Sequence, residues 1–130
     1  MQSLFLVMAG GALGSGARYL TGRATFAAFG AGYPWGTLLV NLLGGCLMGL
    51  LVGTLARMPA SAEHWRLLLA VGLLGGFTTF SAFSLDVVTM MQRGDLGTAA
   101  LYTLVSVAGS VVALFAGLAL ARTIGAGAVA

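Results

Sequence analysis

Long apolar runs, broken only by short polar stretches, fill most of the chain. A helix that crosses a bilayer needs about 20 mostly apolar residues. Four stretches reach that length, at residues 3–21, 35–56, 67–91 and 96–121. The first carries Arg18 near its far end, the second is uncharged between Arg23 and Arg57, and the fourth is uncharged between Asp95 and Arg122. The breaks between them carry turn chemistry. Gly30–Pro34 precedes Trp35, with proline suited to the start of a helix. Met58–Ser61 follows the second stretch, and Ser61 or Ala62 leads into an acidic first turn at Glu63, which suits the helix dipole. Gln92–Asp95 makes a tight polar turn. Trp35, Trp65 and Tyr33 fall at span ends, where amphipathic rings sit at headgroup level. The N-terminal run lacks a positive leader region and reads as a span, not a cleaved signal. The pattern predicts an all-α membrane protein, one integral membrane domain over residues 1–130 with four transmembrane helices.

The third stretch is the irregular one. Gly75-Gly-Phe-Thr-Thr-Phe-Ser-Ala-Phe-Ser84 places two threonines, two serines and three phenylalanines between apolar flanks. Irregular backbone at membrane depth persists only where protein buries it or a wet cavity adjoins it. The insert predicts a third helix broken in its middle, stopping near Gly75–Phe77 and restarting near Thr79–Ser81. Such a break frees carbonyls on one side and amides on the other. A serine or threonine caps the restarted half, and the freed carbonyls suit a bare cation.

Composition sharpens this reading. With 59% hydrophobic and 7% charged residues, the chain has too little polar surface to clothe a soluble globule. Its positive charge comes from six arginines and no lysine. They are scattered singly, which argues against a nucleic-acid partner. Cys46 is the lone cysteine, so an intrachain disulfide is excluded. Many of the 21 glycines recur in steps of four, at Gly10/Gly14, Gly45/Gly49/Gly53, Gly72/Gly76 and Gly109/Gly117 with Ala113 between. In lipid, small residues that let backbones approach are the packing device. With four spans, Arg57, Arg66 and Arg122 fall on one side, against Arg23, Arg93 and possible help from Arg18 on the other. The positive-inside rule then gives almost no vote. A chain without charge bias can insert both ways round, which permits an antiparallel homodimer of inverted copies.

Polar side chains recur at helical spacing inside the apolar runs. Thr37 and Asn41 share one face, and Tyr102, Ser106 and Ser110 share another. Phe80 and Phe83 stand three apart, with Thr79, Ser81 and Ser84 around them. Any one hydroxyl reads as interhelical glue or a bond back to its own helix. Taken together, these neutral donors suit an anion that must shed water, with Arg18 as a cation near the mouth. Ring edges are electropositive, so Phe80 and Phe83 suit the same task. Asp86 with Arg18 reads as an intramembrane ion pair and a candidate proton site. No P-loop lysine, metal cluster or paired carboxylates mark an enzyme, and no organic cofactor is implied.

These residues resemble a known family over essentially the whole chain: the small bacterial fluoride channels called Fluc or CrcB. The matching motifs are Gly10-Gly-Ala-Leu-Gly14-Ser-Gly-Ala-Arg18-Tyr19, Gly36-Thr37-Leu-Leu-Val-Asn41-Leu-Leu-Gly44 and Gly72-Leu-Leu-Gly75-Gly-Phe-Thr78-Thr79-Phe80-Ser81-Ala-Phe83-Ser84. The resemblance implies passive fluoride export across the cytoplasmic (inner) membrane of a bacterium by a dual-topology homodimer with two antiparallel pores. It implies a central structural sodium ion held by the backbone carbonyls of Gly75 and Thr78. It implies a fluoride path along Phe80, Phe83, Asn41, Ser81, Thr37, Tyr102, Ser106 and Ser110, with Arg18 at the vestibule. Ala82 and Asp86 depart from residues common in the family. Two rivals stand beside this expectation: a proton-coupled anion transporter using Asp86, and a non-conducting helper subunit.

Overall fold

The structure is a computed structural model that describes residues 1–59 and 62–127. Ala60 and Ser61, in the loop expected ahead of Glu63, lie outside the described residues. The described chain is helical: α1 (Gln2–Phe29), α2 (Trp35–Leu55), α3 (Glu63–Trp65), a π-helical segment (Arg66–Leu74), α4 (Gly75–Phe77), α5 (Phe80–Gln92) and α6 (Leu96–Gly127). Among the described residues, three stretches are long and apolar enough to cross a membrane: Trp35–Leu55, Glu63–Gln92 and Leu96–Gly125. Helix α1 has 28 residues, but Arg18, Arg23 and its glycines and serines dilute its apolar content. It also runs past the expected limit at Thr21. Hydropathy marks where lipid begins, and a helix continues beyond that point until Gly30 ends it. Gly30 adopts φ +77°, a conformation that favours glycine, and its N–H bonds the Phe26 carbonyl at 2.8 Å.

Two glycine seams hold the helices together. Helix α1 packs against the π-helical segment and α4, and α2 packs along α6. In the first seam, a Cβ added at Gly72 would lie 2.9 Å from the Val7 carbonyl and 3.0 Å from Gly10 Cα. One added at Gly76 would lie 2.6 Å from the Gly11 carbonyl. In the second, a Cβ at Gly45 would lie 2.8 Å from the Ser110 carbonyl, and one at Gly109 would lie 2.8 Å from the Leu42 side chain. Backbone meets backbone at Gly72, Gly76 and Gly45, where a methyl group has nowhere to go, while Gly109 faces the end of a side chain. The four-residue glycine spacing is therefore packing chemistry, worth its cost in helix propensity because lipid offers no hydrophobic drive between helices.

The π-helical stretch Arg66–Leu74 has no signal in the sequence. Its wider turn rotates the side chains that follow relative to those before it, and so sets the face that α4 presents to α1 and α2. Helical geometry then stops. Thr78 is extended at φ −79°, ψ 159°, and Thr79 at φ −153°, ψ 126°. Helix α5 resumes at Phe80.

Candidate functional site

The interruption at Thr78–Thr79 is held by side chains from two directions. Asn41, on α2, uses both ends of its amide: Nδ2 donates to the Thr79 carbonyl at 2.9 Å, and Oδ1 accepts from the Thr79 N–H at 2.8 Å. An extended residue between two helices leaves its peptide groups without helical partners, and a buried unpaired group costs about 1–3 kcal/mol. Asn41 satisfies both. The Thr79 hydroxyl caps the restarted helix by accepting from the Ala82 N–H at 3.2 Å, the role of an N-cap threonine. Thr78 bonds back, its Oγ1 donating to the Leu74 carbonyl at 2.9 Å. Gly44 makes room for this arrangement. A Cβ there would run into the Thr78 methyl group and lie 3.4 Å from the Phe77 ring.

These bonds redirect the donors that ordinarily serve the carbonyls at the break. In a helix the carbonyl of residue i accepts from the N–H of residue i+4. The partner expected for Gly75 is the Thr79 N–H, which goes to Asn41. The partner expected for Thr78 is the Ala82 N–H, which goes to Thr79 Oγ1. Gly75 is exposed on the surface of the single chain and Thr78 is half-buried.

A cavity of about 400 Å³ opens beside the interruption, lined by Asn41, Gly44, Gly45, Met48, Thr78, Thr79, Phe80, Phe83, Ser106, Val107, Ser110, Val111 and Leu114. Of the residues expected on an anion path, it gathers Asn41, Phe80, Phe83, Ser106 and Ser110. The Phe80 and Phe83 rings lie 5.4 Å apart, tilted by 46°. Phe83 is buried, whereas Phe80 is 76% exposed. Ser106 is 4% exposed, and its Oγ has no hydrogen-bond partner among the described residues. Among the described hydroxyls singled out from the sequence, this is the one both buried and without a bond.

Other expected residues sit elsewhere. Thr37, one turn from Asn41, lines a second cavity of about 700 Å³ together with Tyr33, Asp86, Arg93 and Asp95. Ser81 is exposed, its Oγ 3.4 Å from Thr79 Oγ1, and is absent from the lining of the smaller cavity. Tyr102 is wholly buried (0% exposed). Its hydroxyl donates to Asp86 Oδ2 at 3.0 Å, and its ring lies 5.4 Å from that of Phe83. Tyr102 thus touches a residue of each cavity, the Asp86 carboxylate of one and the Phe83 ring of the other.

One expectation about charge needs correction. Asp86 does not pair with Arg18: its carboxylate takes the Tyr102 phenol, and the salt bridge recorded among the described residues joins Glu63 and Arg66 at 2.6 Å. The reason is rotation, since α5 faces α6 at Asp86 while Arg18 lies on α1. Arg93 lies in the expected turn, at the C-terminal cap of α5, and lines the larger cavity. Outside the spans, burial raises the Tyr33 phenol above its ordinary pKa, which keeps this residue neutral. Sequence reasoning also left Thr79 out of the site. The available signal was its place immediately before Phe80, three residues ahead of an amide needing a cap.

Residues 5–118 match the family described as CrcB-like protein, Camphor Resistance (CrcB). The chain is 56% identical over 124 residues to the fluoride-specific ion channel FluC of Chelativorans sp. (strain BNC1), covering 95% of this chain and 99% of that one. It is 58% identical over 125 residues to the FluC of Phenylobacterium zucineum (strain HLK1), covering 95% and 98%. Against the FluC of Agrobacterium fabrum (strain C58 / ATCC 33970), identity is 50% over 124 residues, covering 95% and 99%.

Proposed function

The chain belongs to the CrcB family, and from that premise we propose that it is a fluoride-selective channel, passing the ion passively out of the cytoplasm of a bacterium. One observation carries the reading: the buried Ser106 hydroxyl without a partner, in a cavity shared with Asn41, Phe80, Phe83 and Ser110. Fluoride is small and tightly hydrated. Only a path dense in donors replaces its water, since stripping an ion without compensation is prohibitive. A neutral hydroxyl, an amide hydrogen and positive ring edges supply that compensation without a fixed charge to trap the ion.

The working unit is an antiparallel homodimer in the inner membrane, each chain crossing with four helices and the third broken at Thr78–Thr79. The balanced arginines support insertion in both orientations. Exposed Gly75 and Ser81 on the single chain support a partner at the break, because lipid is a poor neighbour for a serine hydroxyl and for a carbonyl without its helical donor. The carbonyls of Gly75 and Thr78, deprived of their usual donors, fit a sodium ion between two copies. They are hard, neutral oxygens, and sodium would supply the positive charge that holds the two breaks together. The fluoride path runs from the Asp86 and Thr37 cavity, past Tyr102, to Ser106, Ser110, Phe80, Phe83 and Asn41. Ser81 joins this path only at the dimer surface, and Arg18 serves the outer mouth.

The second reading, proton-coupled transport, draws on the Asp86–Tyr102 bond. Liposomes containing only this protein separate the two. Fluoride efflux is expected to proceed at the same rate with a protonophore present and no pH gradient. Efflux that requires the gradient would favour coupled transport, and absence of efflux would favour a helper subunit.

A further inference from the structure

Tyr102 touches residues of both cavities, and its ring has a further aromatic neighbour besides Phe83. Tyr33, in the five-residue loop Gly30–Pro34, lies 5.5 Å from the Tyr102 ring at 84°, edge to face. It packs against the buried cluster of Leu38, Phe83, Met90, Ala99 and Tyr102, and it lines the larger cavity. Tyr33 is held firmly in turn. Its ring lies 4.6 Å from that of Trp35, which lies 5.6 Å from that of Phe29 at the end of α1. Its carbonyl accepts from the Trp35 N–H at 2.8 Å, and Pro34 stiffens the next position.

Six rings therefore run in unbroken contact from Phe29 through Trp35, Tyr33, Tyr102 and Phe83 to Phe80. A phenol that must keep its hydroxyl on Asp86 while an ion passes needs its ring held against rotation. Phe83 and Tyr33 both pack against that ring.

We infer that Tyr33 is a positioning residue of the ion path: its ring edge, presented by the α1–α2 loop, fixes the orientation of Tyr102, which touches a residue of each cavity. This rests on the fluoride-channel reading. Tyr33 touches Tyr102 and acts on the ion only through it.

The test is a double-mutant cycle in fluoride efflux from liposomes. Tyr33→Ala is expected to lower efflux about fivefold, the size of losing one aromatic pair. Tyr33→Phe, which keeps the ring edge, should restore most of the rate. In the Tyr102→Phe background the hydroxyl is already gone, so Tyr33→Ala should add no further loss. A purely structural role would give the same fold loss in both backgrounds, and that result would overturn the inference, as would a normal rate for Tyr33→Ala. A second measurement does not depend on what the protein conducts. With ring-labelled tyrosine, NMR should show the Tyr102 ring flipping faster in Tyr33→Ala than in the parent. An unchanged flip rate would refute Tyr33 as the strut, even if the parent protein passed no fluoride and the channel reading itself fell.

Discussion

Asn41→Asp is expected to cut fluoride efflux by about a hundredfold or more, because two losses coincide at one buried side chain. The carboxylate still accepts from the Thr79 N–H, now made at 2.8 Å. It no longer donates to the Thr79 carbonyl, made at 2.9 Å by Nδ2, and sets a charged oxygen against that carbonyl instead. The same charge stands in the wall of the cavity that holds Phe80, Phe83 and Ser106, where it repels the anion. The direction with pH follows. Protonation of the substituted carboxyl restores a donor and removes the charge, so the residual efflux should rise as pH falls. A fluoride electrode reading on liposomes at several pH values checks both parts. Unchanged efflux at neutral pH would contradict the placement of Asn41 on the path.

Removing sodium is expected to have the next largest effect. A site filled at about a hundred times its Kd adds about 2.7 kcal/mol to the state that binds it. Its loss should lower efflux by about tenfold or more in protein purified and assayed without sodium. The reasoning rests on backbone. Thr79 N–H and Ala82 N–H are engaged by Asn41 and by the Thr79 hydroxyl, which frees the Gly75 and Thr78 carbonyls from their helical donors. Side-chain substitutions at this half of the insert test the assignment poorly, and exchanging sodium for a large organic cation tests it well. Full activity without sodium would refute the assignment.

What the sequence disclosed follows from periodicity. Glycine spacing identified both helix seams, because every fourth residue of a helix returns to the same face. The polar insert at Gly75–Ser84 stood out because threonine pairs and glycine are unfavourable inside an apolar helix. The Tyr102, Ser106 and Ser110 stripe could be read from its spacing alone. Relations between helices could not. That Asn41 clamps Thr79, 38 positions away, depends on how α2 is rotated against the break. That Asp86 meets Tyr102 and not Arg18 depends on which neighbour α5 faces. The π-helical turn at Arg66–Leu74 leaves no trace in residue type, yet it resets the phase of everything after it. A one-turn separation also proved decisive: Thr37 and Asn41 share a helical face but line different cavities.

The central claim is that neutral donors in a dry path choose fluoride over a larger, weaker acceptor. Chloride gains less from the Ser106 hydroxyl and the Asn41 amide, and each lost donor leaves part of its hydration uncompensated. The most direct measurement compares fluoride and chloride efflux from liposomes containing only this protein, under equal gradients and with valinomycin to carry the counter-charge. Fluoride should leave rapidly while chloride stays at the rate of protein-free liposomes. Chloride leaving at a rate comparable to fluoride would contradict the account.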